Sequence, residues 1–305
     1  MVDPLSDVIG LLRPRAVFTK GISGAGRWGV RYADFGHPSF AIVIEGGCRL
    51  AVDGQPKLIL QGGDFVLLPT TPGFTMSSFE PAVPTFIDPH AAAEVAEEVR
   101  HGRQDGPPDV RLLGGYFVFE GDEAGLLVSL LPDQVHVRGV ARLSTLVGLL
   151  IEEAALANAG RELVLGRLVD ILLVESLRQT QTPLAPAGLL RGLGDARLAD
   201  AIRCMHADPA RPWTMAQLAR EAALSRSAFF DRFTRNVGMP PMEYLLAWRM
   251  ALAKDLLRRS GTDIATVAER VGYGSASTFS TAFSRHVGQP PGRYAKLGGQ
   301  VAAMQ

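Results

Sequence analysis

The chain has 305 residues, 47% of them hydrophobic and 20% charged, the balance of a globular protein of two ordinary domains, which excludes wholesale disorder. No apolar run approaches the ~18 residues of a membrane span. Two cysteines, Cys48 and Cys204, exclude a disulfide framework and a four-cysteine zinc site. The opening MVDPLSDVIGLLRPR puts acids and a proline where a signal peptide needs a basic start and an unbroken apolar core, so a cytoplasmic location without a membrane partner is expected. The net charge is zero, yet residues 1–190 carry 15 Lys+Arg against 22 Asp+Glu and residues 191–305 carry 16 against 9. The basic part suits a polyanion and the acidic part does not.

From Val30 to Ser78 the apolar runs are short. Phe40, Ile42 and Ile44 alternate, Glu45-Gly46-Gly47 breaks the run, and Leu50 and Val52 precede Asp53-Gly54, a hairpin-turn signal. Leu58, Leu60 and then Phe65 to Leu68 follow, and Tyr116 to Phe119 is a later strand. Strands this short predict an antiparallel barrel or sandwich. Residues 91–108 read as a helix followed by a loop.

From Leu143 the period becomes helical. Leu143, Leu146, Val147, Leu150, Ile151 and Ala154 form one stripe, and Leu165, Leu168, Val169, Leu172 and Leu177 another. This predicts a helical hairpin whose stripes pack on the barrel or pair with a second subunit. Two prolines and a glycine in residues 182–188 mark a linker.

The C-terminal third repeats itself. Residues 218–244 (LAREAALSRSAFFDRFTRNVGMPPMEY) align with residues 267–294 (VAERVGYGSASTFSTAFSRHVGQPPGRY). Ser225 pairs with Ser275, Phe229 with Phe279, Phe233 with Phe283 and Tyr244 with Tyr294, with one residue gained or lost in the turn. Each copy reads as helix, tight turn, helix. Thr214 with Gln217 makes a capping box, and Ser225, Asp263 and Ser275 are cap residues. Gly272 fits the left-handed position of a turn. Between the copies, residues 242–258 form an amphipathic spacer of about 25 Å, which suits two recognition helices about one turn of B-DNA, ~34 Å, apart.

Residues 194–296 closely resemble the AraC/XylS family of bacterial transcriptional regulators. Residues 263–294 (DIATVAERVGYGSASTFSTAFSRHVGQPPGRY) match the family signature almost throughout. The resemblance covers about a third of the chain and implies a DNA-binding unit of seven helices with two helix-turn-helix subdomains. The acidic half resembles, less tightly, the cupin-like domain of one branch of that family, where the barrel senses an effector and adjoining helices dimerise. The expected architecture is therefore α+β: a cupin-like sensor domain (1–139), a dimerisation hairpin (140–181), a linker (182–193), a DNA-binding domain (194–296) and a tail (297–305). Promoter DNA, a small-molecule effector, a second copy of the chain and, for an activator, RNA polymerase are the expected partners.

Base readers sit on outward positions early in each recognition helix. In the first copy these are Arg226, Ser227, Phe230 and Asp231, because Phe229 and Phe233 face inward; the resemblance implies base contacts at Ser227, Phe230 and Asp231. An Asp accepts from cytosine N4 and a Phe packs on a thymine methyl, so reading by this helix is modest or partly shape-based. In the second copy the outward positions are Ala276, Ser277, Thr278 and Thr281, small enough for the helix to sit deep in the groove. Arg226, Arg232, Arg235, Arg249, Arg285 and Arg293 are candidate phosphate partners.

Cupin enzymes hold a metal with two closely spaced His, a Glu and a later His. Here His37 stands alone, and Phe74 lies near where the later His is expected; His90, His101 and His136 show no ligand spacing. No cofactor, metal site or catalytic residue is assigned. A sensor fits better, with Trp28, His37, Phe40, Phe65 and Phe74 as candidate effector-lining residues. The alternatives left open are a cupin metalloenzyme with a fused DNA-binding tail, a DNA-bound protein without an effector, and a redox role for Cys48.

Overall fold

The computed structural model describes residues 3–80, 82–88, 98–119, 134–156, 158–179, 187–258 and 262–302. The chain divides into two compact units: residues 13–180, and residues 1–12 together with 181–305.

The first unit is a curled ten-stranded sheet with two helices. Its strands are β1 (Pro14–Ala25), β2 (Gly29–Tyr32), β3 (Ser39–Val52), β4 (Leu58–Gln61), β5 (Phe65–Leu68), β6 (Phe74–Ser77), β7 (Thr85–Ile87), β8 (Glu98–Gly102), β9 (Val110–Phe119) and β10 (Val135–Val137). The main path runs β7-β2-β6-β3-β9-β1-β8, with β4 and β5 on β3 and β10 on β5. Only the pairs β1–β8 and β2–β7 are parallel among the described strands.

Two readings of the strands are corrected. Glu45-Gly46-Gly47 was expected to end a strand, but β3 runs through it for 14 residues. Its first half pairs with β5 and β9, its second half with β4 and β6. The register against β9 shifts between Val43 and Glu45, and Gly46 takes φ 73° against the Asp109 carbonyl, where a side chain would collide. The glycines mark a bulge that bends one strand from one half of the sheet into the other. Of the helix and loop read in residues 91–108, residues 91–97 lie outside the described residues, and Glu98–Gly102 is the strand β8, paired in parallel with β1.

Trp28, Val30, Val43, Cys48, Leu50, Leu60, Val66, Leu68, Met76 and Leu112 form the core on one face of the sheet. Strand alternation sends Phe40, Ile42, Phe65 and Leu67 to the other face. Helices α2 (Ala141–Ala155) and α3 (Arg161–Gln179) pack against β1, β3 and β10 through Leu143, Val147, Leu150, Leu165, Val169 and Leu172, all buried. Glu175, itself buried, accepts from Arg178 on its own helix and pairs across to Arg142 of α2. Several large apolar residues of this hairpin remain exposed, Leu149, Leu156, Leu163, Val164 and Ile171, interspersed with exposed polar residues such as Arg142, Glu152 and Arg167.

The second unit is helical. It contains α1 (Pro4–Leu12), α4 (Leu189–Gly194), α5 (Ala196–Ala207), α6 (Met215–Glu221), α7 (Arg226–Val237), α8 (Pro241–Arg258), α9 (Ile264–Arg270), α10 (Ala276–Val287) and α11 (Pro291–Ala302). Asp3 opens α1 by accepting from Leu5 N, and Leu5, Val8 and Leu12 bury one face against α5 and α8. Residues 3–12 therefore belong with the C-terminal unit. Residues 189–193, read as linker, lie in the helix Leu189–Gly194, with Leu189 and Leu190 buried; residues 182–186 lie outside the described residues.

Candidate nucleic-acid interface

The duplication in the sequence becomes a duplicated aromatic ladder. Phe229 and Phe233 lie 5.5 Å apart, centroid to centroid, and Phe233 meets Tyr244 edge-on at 5.7 Å. In the second copy Phe279 and Phe283 are 5.4 Å apart, and Phe283 meets Tyr294 at 5.6 Å. All four phenylalanines are completely buried. Each ladder locks the rotation of its second helix, α7 or α10, about that helix's own axis.

The caps then set where each helix begins. Thr214 and Gln217 form the reciprocal capping box at α6. Ser225 accepts from Ala228 N at α7, Asp263 from Ala265 N and Thr266 N at α9, and Ser275 from Thr278 N at α10. The turns before α7 and α10 are matched bond for bond. Ala223 N and Leu224 N donate to Arg220 O and Ala219 O; Gly272 N and Tyr273 N donate to Glu269 O and Ala268 O.

Burying one side leaves the other outward. On α7, Arg226, Ser227, Asp231 and Arg235 are exposed, and Phe230 is 43% exposed beside its fully buried neighbour Phe229. On α10, Ser277, Thr278, Thr281 and Arg285 are exposed, whereas Ala276 is half-buried. Several hydroxyls already have local partners: Thr281 Oγ1 donates to Ser277 O, and Thr278 Oγ1 lies 2.9 Å from Ser275 Oγ. Those two threonines turn methyls and acceptor lone pairs outward more readily than donors.

The arginines named as phosphate partners separate into groups. Among the described residues no carboxylate pairs with Arg226, Arg235, Arg285 or Arg293. Arg232 is held 2.6 Å from Asp195, whose other oxygen caps α5. Arg249 is half-buried; its Nε donates to Pro209 O and its Nη2 to Arg211 O, at 2.7 and 2.8 Å. Burial lowers its pKa, against the opposing pull of Tyr273 and Asp208. Two of its N–H groups are thus engaged within the protein, which sets it apart from the unpaired arginines on α7 and α10.

The sequence reading missed a buried polar chain beneath the first copy. His206 lies between Asp7 Oδ2 at 3.1 Å and the Tyr244 hydroxyl at 2.7 Å, and stacks on Trp248 at 3.9 Å. Burial pushes the His206 pKa down despite Asp7, and raises that of Tyr244. Asp7 and His206 are 199 residues apart, so no local motif announces the chain.

The residues named as effector-lining are not brought to one place. Trp28 is in the sheet core with its ring 5.9 Å from that of His101, and Phe74 packs against the same core, stacked on Tyr32 at 4.8 Å. Phe40 and Phe65 lie on the opposite face, 6.5 Å apart. His37 is exposed beside Phe35 and Tyr116. Among the described residues no three of His, Cys, Asp and Glu are grouped to hold a metal ion; His90 lies outside the described residues. His136 instead lies 3.1 Å from the buried carboxylate of Asp64, which also accepts from Arg138 and Gln61 N. Burial alone would raise the Asp64 pKa, but these bonds hold it below the usual carboxylate range. Cys48 is fully buried and its thiol is pushed up to about 12 by burial, with the Asp64 charge adding to the shift.

Comparison with known proteins covers both units. Residues 3–181 match the family model described as Cupin, and residues 218–297 the one described as Helix-turn-helix domain. Over 304 residues the chain is 38% identical to an AraC-like transcription regulator of Streptomyces lividans, spanning 97% of this chain and 98% of that one. A second AraC-like transcription regulator, from Streptomyces antibioticus, is also 38% identical over 304 residues, 97% of this chain and 99% of that one. An HTH-type transcriptional regulator of Haemophilus influenzae is 28% identical over 278 residues, spanning 89% and 91% of the two chains.

Proposed function

The chain belongs to the AraC-like family of DNA-binding transcription regulators, and from that premise we propose that it reads a bipartite operator by placing α7 and α10 in successive major grooves. The observation that carries this reading is the repeated ladder, which buries the same side of both helices and leaves matching surfaces outward. The 18-residue helix α8 between the copies is about 27 Å long at 1.5 Å per residue. Arg226, Ser227, Phe230 and Asp231 read bases from α7; Ala276, Ser277, Thr278 and Thr281 do so from α10, with Arg235 and Arg285 on phosphates.

Within the same proposal the protein acts in the cytoplasm. The sheet unit takes a small-molecule effector, which alters DNA binding through a difference in its affinity for two conformations. The exposed Leu149, Leu163, Val164 and Ile171 of the α2–α3 hairpin support pairing with a second copy of the chain. An activating form would also contact RNA polymerase.

The test uses the full chain, because residues 3–12 are part of the helical unit. Affinity for promoter DNA, measured by fluorescence anisotropy, is expected to fall about 10³-fold between 50 and 200 mM salt if six phosphates are contacted. Asp231→Ala and Thr278→Ala are expected to change sequence preference more than non-specific affinity. Salt-independent binding, or unchanged preference in both variants, overturns the reading.

A further inference from the structure

The turn of the second helix-turn-helix lies against a loop of the first, and the turn residues of the two copies are not equivalent by repetition. In the first copy the left-handed residue of the turn is Ala223, at φ 50°. In the second it is Gly272, at φ 81°. The first copy demonstrates that alanine is tolerated in this turn, so backbone conformation alone does not require glycine at 272.

The surroundings of Gly272 do require it. A Cβ built there would lie 2.6 Å from Ala210 O, 3.0 Å from Ala210 Cα and 3.0 Å from Arg249 Nη2. Ala210 belongs to the loop between α5 and α6 of the first copy, and Arg249 sits midway along the spacer helix α8. Arg249 grips the carbonyls on either side of Ala210, those of Pro209 and Arg211. The loop is stiffened further. Arg211 N donates to Asp208 Oδ1, Trp213 Nε1 donates to Asp208 O, and the Arg211 guanidinium lies 4.1 Å over the Trp213 ring. A loop of the first copy, the spacer and the recognition turn of the second copy thus touch in a three-way contact. On the far side of Arg249, Met250, Ala253 and Leu257 enter the core of the second copy.

We propose that Arg249 and Gly272 are positioning residues that set the distance and relative rotation of the two recognition helices, and thereby the number of base pairs the protein accepts between its half-sites. This rests on the two-groove reading above. One inserted base pair moves a half-site about 3.4 Å along the duplex and turns it by about a tenth of a turn. A spacer helix tethered only through apolar contacts has room to follow such a change. A guanidinium bonded to two carbonyls, with a backbone-to-backbone contact beside it, does not.

The experiment starts from a duplex selected from random-sequence DNA by the full-length protein. Spacing variants with one base pair inserted or removed between the half-sites are then compared with the selected duplex. The wild type is expected to lose at least about tenfold in affinity for each change, the cost of a mismatched base pair. Arg249→Met, which keeps the side chain's bulk and removes its donors, is expected to shrink that loss to about threefold or less while leaving the salt slope unchanged. Gly272→Ala acts from the other side of the contact and is expected to shift or flatten the same spacing profile. Arg249→Lys, which reaches one carbonyl, is expected to fall between Met and wild type.

A spacing profile identical to wild type in folded Arg249→Met and Gly272→Ala proteins overturns the proposal. So does a salt slope reduced by about one with unchanged spacing preference, which identifies Arg249 as a phosphate contact. If scrambling one half-site leaves wild-type affinity unchanged, the two-groove reading itself fails, a result separate from either.

Discussion

Replacing Gly272 by Ala and Ala223 by Gly separates the cost of backbone conformation from the cost of crowding. A left-handed φ costs an L residue about 1–2 kcal/mol, offset by the ~0.4–1 kcal/mol that alanine gains over glycine by restricting the unfolded chain. Conformation alone therefore makes Gly272→Ala destabilising by about 0.5–1 kcal/mol, and Ala223→Gly stabilising by the same amount. At Gly272 the new methyl also meets Ala210 O at 2.6 Å, and that loop is pinned by Arg249 on both sides of Ala210. Forcing a methyl into a packed contact costs about 1–3 kcal/mol more. The expected total for Gly272→Ala is about 1.5–4 kcal/mol of lost stability in the helical unit. Equilibrium urea unfolding in a Trp28→Phe background measures this, because Trp213 and Trp248 then report on the helical unit. Effects of equal size and opposite sign at the two positions would refute the reasoning, since conformation would then explain both and the contact with Ala210 would contribute nothing.

Two further predictions concern buried titratable groups. The His206 pKa is lowered from 6.5 in the folded chain, so the unfolded state binds the proton first. Its contribution to stability is complete above pH 6.5 and is lost as pH falls from there toward the folded pKa. The helical unit is expected to melt at a lower temperature at pH 5.5 than at pH 7.5, with the difference reduced in His206→Gln; a melting temperature equal or higher at pH 5.5 contradicts the assignment. Cys48, buried and with its thiol near 12, carries a thiolate fraction of about 10⁻⁴ at pH 8. Mass spectrometry after alkylation at pH 8 should find Cys48 unmodified in the native chain and modified in denaturant. Rapid native labelling would restore a redox role for this cysteine.

The parts of this protein readable without coordinates are those encoded within a few residues of one another. Thr214 with Gln217, Ser225, Asp263 and Ser275 start helices through bonds to residues two or three positions on, so the four caps and the spacing of Phe229 and Phe233 were legible as pattern. Repetition did the rest, since two copies in register identify a unit that one copy does not. Other features depend on partners far away in the chain. Glu45-Gly46-Gly47 reads as a stop until Asp109 and β9 are beside it, and then it is a bend in a continuing strand. Arg249 reads as a surface cation until folding brings it against Pro209 and Arg211. Asp3, Leu5, Val8 and Leu12 have the spacing of a capped amphipathic helix, but nothing near them says that their apolar face belongs on α5 and α8 rather than on the sheet that follows. Propensity, capping and periodicity act over one or two turns of chain, and they specify elements. Which element covers which face depends on burying apolar area and satisfying polar atoms across tens to hundreds of residues, and only the folded chain brings those groups together.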